Sequence, residues 1–156
     1  MSAMETIEDL QDRALDAVVN ELLLMFDIGR CTLRRELRDE TFPVAHEALA
    51  PGVGSLIGET TVDLRGQPVV RVLTESGGQV VQNDCRTAYS DESFQRMLDV
   101  YGGLRAQIVT PVHAEGDLTA IISLHHFGEP RNWSPAEVDL ARDAAALVGR
   151  ILGSSS

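Results

Sequence analysis

Residues 105–141 read RAQIVTPVHAEGDLTAIISLHHFGEPRNWSPAEVDLA. Two runs with strand character, Gln107 to Val112 and Leu118 to Phe127, flank the polar turn Ala114-Glu115-Gly116-Asp117, which is the pattern of an antiparallel hairpin. Ser134-Pro135-Ala136-Glu137 then joins a serine N-cap, a proline at the first helical position and a glutamate suited to a capping box. Behind it Val138, Ala141, Ala145, Val148 and Leu152 recur at helical spacing until Gly153 and three serines end the run. This stretch predicts strand, strand, helix.

Working toward the N-terminus, Ser90 or Asp91 can cap a helix that carries Phe94, Met97, Leu98 and Tyr101 on one face and stops at Gly102-Gly103. Val80 to Gln82 reads as a brief buried strand, and Pro68 to Leu73 as a short helix with proline in its first turn. The segment Pro51 to Gly58, with its proline and three glycines, breaks regular structure. Arg30 to Leu37 and Phe42 to Leu49 form a second hairpin around the charged turn Arg38-Asp39-Glu40. At the start, Ile7, Leu10, Ala14, Val18, Leu22 and Met25 mark one helical stripe, with Thr6 and Asp9 placed for capping and Gly29 at its end. Leu23 and Leu24 widen that stripe beyond the needs of one sheet face, which points to a second packing partner.

The element order favours an α+β domain: a central antiparallel sheet with the terminal helices on one face. One domain is expected over residues 5–152, with residues 153–156 as a flexible tail. With 44% apolar and 24% charged residues the chain has a globular composition, so neither disorder nor a fibrous repeat is favoured.

Composition also removes function classes. All 13 basic residues are arginine and the net charge is −11, so lysine-dependent phosphate and Schiff-base chemistry is excluded and nucleic-acid binding is disfavoured. The densest basic stretch, Arg30, Arg34, Arg35 and Arg38, is broken by Glu36 and followed by Asp39 and Glu40, and reads as a solvated strand edge. Arg35 shares a face with Cys31, Leu33 and Leu37, and an edge position in water is expected for it as well. Two distant cysteines, no secretory leader and no apolar run of membrane length point to a cytoplasmic protein with no membrane partner and no disulfide framework.

Taken together, Gln79-Val80-Val81-Gln82-Asn83-Asp84, Arg105 to Val112, Gly116 to His125, Pro130-Arg131-Asn132-Trp133-Ser134 and Glu137 to Ala141 resemble the GAF domain family, which is related to PAS domains and widely used for sensing small ligands. The resemblance implies helices that often form a dimer bundle and a ligand pocket between the sheet and the middle segment. It therefore implies a non-catalytic sensor, homodimeric through its terminal helices, with output through a separate signalling partner.

The expected lining of the pocket is His46, Tyr89, Phe94, Met97, Tyr101, Thr110 and Ser123, where aromatic and sulfur groups give apolar contact and the polar few fix orientation. His46 enters because strict alternation puts it beside Phe42, Val44 and Ala48. His125 and His126 must point to opposite faces, so they are not joint metal ligands, and no metal site is expected. Haem-binding relatives usually carry their ligating histidine after the middle strand, and Asp84 to Gly103 holds none, so haem is disfavoured and no cofactor is required. Cys85, beside Arg86, is the candidate redox residue of an alternative reading as a reductase resembling the free methionine sulfoxide reductases, although the clustered cysteines of those enzymes are missing. A ligand-free scaffold is the other alternative. The glycines at 52, 54 and 58 lack the βαβ context of a dinucleotide loop. Nothing in the residues names the ligand.

Overall fold

The computed structural model describes residues 6–36 and 42–153, with Arg65 described by its backbone alone. The charged turn at 38–40 and the last three serines lie outside those residues. The elements are α1 (Ile7–Phe26), β1 (Arg30–Arg35), β2 (Val44–Leu49), a 3-10 turn (Leu64–Gly66), α2 (Pro68–Ser76), β3 (Val80–Gln82), α3 (Cys85–Ala88), α4 (Glu92–Val100), β4 (Leu104–Ala114), β5 (Asp117–Phe127) and α5 (Pro135–Gly153). The strands form one antiparallel sheet in the order β2-β1-β5-β4-β3.

That order explains the two layers around the sheet. β2 lies at one edge and β3 at the other, so the chain between them must cross the whole sheet. It crosses on the face that α1 and α5 leave open. On the helix side, Leu15, Val19, Leu22 and Phe26 of α1 and Ala141, Ala144, Ala145, Val148 and Leu152 of α5 pack on Cys31, Leu33, Ala106, Ile108, Val112, Ile122 and Leu124. On the other side, Val69 and Leu73 of α2 and Phe94, Met97 and Leu98 of α4 pack with Leu104, Val109 and Ile121.

The helix ends follow from local chemistry. Thr6 and Asp9 close a reciprocal capping box at α1. α1 ends with Asp27 in the left-handed region at φ 52°, not at Gly29. Gly29 is required for another reason: a Cβ there would lie 2.5 Å from Cδ2 of Phe127. At α5 the Ser134 hydroxyl accepts from the Glu137 amide (3.1 Å) and the Glu137 carboxylate accepts from the Ser134 amide (2.9 Å). Ser134→Ala is expected to lower stability by about 1 kcal/mol, read as an earlier urea midpoint with unchanged slope. A neutral result would mean that Arg131, which bonds Glu137 at 2.6 Å, holds this end unaided.

Strict alternation fails in β2. The register shifts between Leu33, opposite His46, and Arg34, opposite Val44, so Ala45 is one residue too many. Phe42 and Val44 consequently join the core beneath α2 and α4, whereas Ala48 joins the core under α1 and α5. The segment from Cys85, expected as a loop, is the short helix α3, started by the Asp84 side chain accepting from the Arg86 amide.

Candidate functional site

β1 is a central strand and both of its faces are covered. Cys31 and Leu33 face the terminal helices, which leaves Arg30, Thr32 and Arg34 on the roofed side. The register aligns Arg30 with His125 and Gln107, Thr32 with Ser123 and Val109, and Arg34 with Ile121. Gln107 extends the first row by donating its amide to Gln82 at 2.8 Å. The sheet floor is thus polar where an ordinary core would be apolar.

The arginines correct the expectation of a solvated edge: Arg30 is 1% exposed and Arg34 is 8% exposed. Arg30 donates Nε–H to Nδ1 of His125 (3.0 Å), Nη1 to the Gly54 carbonyl (2.9 Å) and Nη2 to the Tyr101 carbonyl (2.7 Å). Its guanidinium also lies 5.0 Å from the Phe127 ring centroid. Arg34 donates to the Phe42 carbonyl (3.0 Å) and to the Tyr101 hydroxyl (2.9 Å). Tyr101, at the end of α4, therefore clamps both cations and stacks on His125 at 5.9 Å. Arg35 points the other way, 3.6 Å from Asp12 of α1.

Burial brings the Arg30 guanidinium down to about 10, Glu47 and Tyr101 opposing the fall and Arg34 adding to it, so it stays charged at neutral pH. Burial, then Arg30 and Arg34, hold the His125 imidazole well below its usual range. An arginine Nε–H can only donate, so Nδ1 of the neutral ring accepts and the ring proton sits on Nε2. Among the described residues no carboxylate forms an ion pair with Arg30 or Arg34.

Above this floor, Leu64, Gln67, Val69, Val70 and Leu73 from the α2 side and Met97 and Tyr101 from the α4 side close a cavity of about 40 Å³. Of the residues expected in the lining, Met97, Tyr101 and Ser123 are there. Phe94 and Tyr89 stand one layer away, edge to face at 5.1 Å, inside the roof. His46 and Thr110 are not brought to the cavity. The bulge turns His46 to the helix side, where Nδ1 lies 2.7 Å from Asp16, and Thr110 accepts from Gln79 at 2.9 Å beside α5. Arg30, Thr32, Arg34, Gln67, Gln107 and His125 were not anticipated. The alternation of β1 against Cys31 and Leu33 was the signal that pointed to its three.

Cys85 is fully buried among the roof residues, and burial, helped by Asp84 and opposed by Arg105, pushes its thiol up to about 12 instead of down. Cys31 is likewise raised to about 12 by burial, on the opposite face of the sheet. Neither is poised as a thiolate, and the sheet separates them. Iodoacetamide at about pH 8 is expected to label both only after unfolding, a contrast read by mass spectrometry. Fast labelling of Cys85 in the folded chain would revive the reductase alternative.

The model of the family described as GAF domain matches residues 11–152. The chain belongs to the GAF domain family. No curated protein sequence is significantly similar to it. Solved structures share the fold of this GAF domain along nearly its whole length. The PixJ GAF domain of Thermosynechococcus elongatus, in its blue-light absorbing form, is 17% identical, with 98% of this chain and 90% of that one covered at a TM-score of 0.82. The cyanobacteriochrome receptor PixJ in dark and illuminated states is 17% identical over 97% of this chain and 100% of that one, TM-score 0.82. A phycocyanobilin-bound GAF domain from a cyanobacterial phytochrome is 17% identical over 93% and 85%, TM-score 0.79. Identities this low carry the fold alone.

Proposed function

We propose that this GAF domain is a non-catalytic sensory module that binds a small organic molecule between the sheet and the roof of α2 and α4. The observation that carries this reading is the partly open cavity over a floor of buried polar side chains. A structural core gains nothing from burying two guanidiniums that have no carboxylate partner among the described residues, since each loses hydration that carbonyl contacts replace only in part. Size limits the ligand. Drug-sized molecules need roughly 300–1,000 Å³, and a linear tetrapyrrole such as phycocyanobilin is larger than most drugs. A space of about 40 Å³ does not fit such a chromophore, so the bilins of the structural relatives are not the ligand proposed here.

The reading is tested by native mass spectrometry of freshly purified protein and by a thermal-shift screen. A ligand at 100 times its dissociation constant adds about 2.7 kcal/mol. No shift with any small molecule would favour the scaffold alternative.

We further propose that the module works as a homodimer through α1 and α5, in a reducing compartment, and passes its signal to a separate partner. On α1 the side chains of Ile7, Leu10, Leu24 and Met25 are all more than half exposed, Leu24 at 72%, and Leu147 on α5 is exposed as well. Ile7, Leu10, Ala14 and Ala17 follow the three- and four-residue steps of a helix-pairing seam, and Leu24 lies one heptad beyond Ala17. Among the described residues no helix is long and apolar enough to cross a membrane. Leu24→Glu is expected to turn the dimer into a monomer in sedimentation velocity while leaving the circular dichroism spectrum intact. A wild-type monomer at about 100 μM would remove the dimer from the proposal.

A further inference from the structure

The polar groups around the cavity are unevenly matched. A guanidinium carries five N–H donors, and among the described residues Arg34 uses two of them, on Phe42 and Tyr101. The Tyr101 hydroxyl accepts from Arg34 and keeps its own proton, Ser123 adds a hydroxyl, and His125 offers Nε2–H. Against these donors stands a buried acceptor: Oε1 of Gln67 lies in the lining with no hydrogen-bond partner, while its Nε2 donates to the Ser93 carbonyl at 3.3 Å. The Thr32 hydroxyl, opposite Ser123 in the register, is buried and unpartnered too. The nearby carboxylates are engaged elsewhere. Glu47 takes the Ser55 hydroxyl and the Leu56 amide, and Glu59 takes Thr61 and the Val62 amide.

The space admits only a small guest. A water needs about 10–15 Å³ of centre volume, so about 40 Å³ holds roughly three waters or a molecule of about four to six heavy atoms. Resting on the reading of this face as a ligand site, we propose that the cavity binds a small carboxylate that also carries a hydroxyl or amine. Its carboxylate pairs with Arg34, supported by the Tyr101 and Ser123 hydroxyls, and its O–H or N–H donates to Gln67. A planar carboxylate matches the guanidinium fork, which a phosphate-sized tetrahedron would overfill. The donor on the ligand satisfies Oε1 of Gln67, a buried acceptor left without a partner.

Isothermal titration with glycolate, acetate, glycine and the neutral glycolamide tests this directly. Glycolate or glycine should bind with a dissociation constant between about 1 mM and 10 μM, the range open to so few atoms. Acetate should bind at least about tenfold more weakly, and glycolamide at least about a hundredfold more weakly. Arg34→Lys should weaken glycolate about tenfold or more, because it keeps a charge and loses the fork. Gln67→Leu should erase the advantage of glycolate over acetate. If either variant fails to fold, the comparison of carboxylate with amide on the unaltered chain decides alone. Equal binding of glycolate and glycolamide would overturn the carboxylate inference and leave the sensor reading standing. Silence from all four probes, with a thermal shift from some other compound class, would do the same. Silence from every compound would end both.

Discussion

Phe94→Ala is expected to cost about 3–5 kcal/mol, because it empties a fully buried aromatic site that the surroundings fill only in part. For a domain of this size that lowers the melting temperature by about 10 °C or more. The reason is the roof itself. α2 and α4 span nine residues each, too few to stand alone in water, and the N-cap of α4, Asp91, makes no side-chain cap bond. Both helices therefore depend on the packing that Phe94 shares with Tyr89, Leu73 and Met97. Urea unfolding with fluorescence of Trp133 measures the loss, and hydrogen exchange should show amides of Glu92–Val100 released ahead of those in β4 and β5. A cost under about 1 kcal/mol would mean that Phe94 is a dispensable lining group, not the pin of the roof.

The sequence makes the scaffold legible wherever one local signal settles an element. The hairpin of β4 and β5 and the capped start of α5 follow from turn residues and a capping box that act within a few positions of themselves. The assignment of helices to one side also follows, because two long amphipathic stripes at the chain ends need a common surface. The bulge at Ala45 does not follow. Nothing in Phe42 to Leu49 marks an extra residue, and that one residue separates Val44, which meets the roof, from His46, which turns to the helix side. Thr110 fails for a related reason: a register shift between Leu104 and Ala106 puts those two even-numbered residues on opposite faces, so Thr110 follows Ala106 and Ile108 to the helix side.

The polar floor was hidden by a sound prior. Arginine in a short charged run is usually solvated, and Arg35, which has that character, reaches the helix side toward Asp12. Arg30 and Arg34 differ only by parity and by the central position of β1, and strand order is not written in any local segment. Once the order is known the consequence is forced. A strand between β2 and β5, roofed on both sides, buries whatever its even-numbered residues carry, and here they carry two cations and a hydroxyl.

Acid should expose the same arrangement. As the pH falls below about 6.5, the ordinary value of a free imidazole, the fold is expected to lose stability through His125. In the folded chain its imidazole is held neutral by burial and by the charges of Arg30 and Arg34, well below the 6.5 of a free ring. The unfolded chain takes up that proton near 6.5, so below this pH it binds more protons than the native state. Stability is then complete above 6.5 and falls as the pH drops, at up to about 1.4 kcal/mol per unit, until the folded ring itself titrates. His126, lowered by burial and Arg131, adds in the same direction, and the lowered carboxyls of Asp84, Glu59 and Glu137 add only at more acid pH. His125→Gln isolates the main term, because a glutamine oxygen can still accept from Nε of Arg30 and carries no titrating proton. The variant's stability, measured by urea titration at each pH, should be nearly flat where the wild type slopes. Parallel slopes in the two proteins would show that His125 is protonated inside the fold, and would remove the neutral Nε2–H donor from the floor of the cavity.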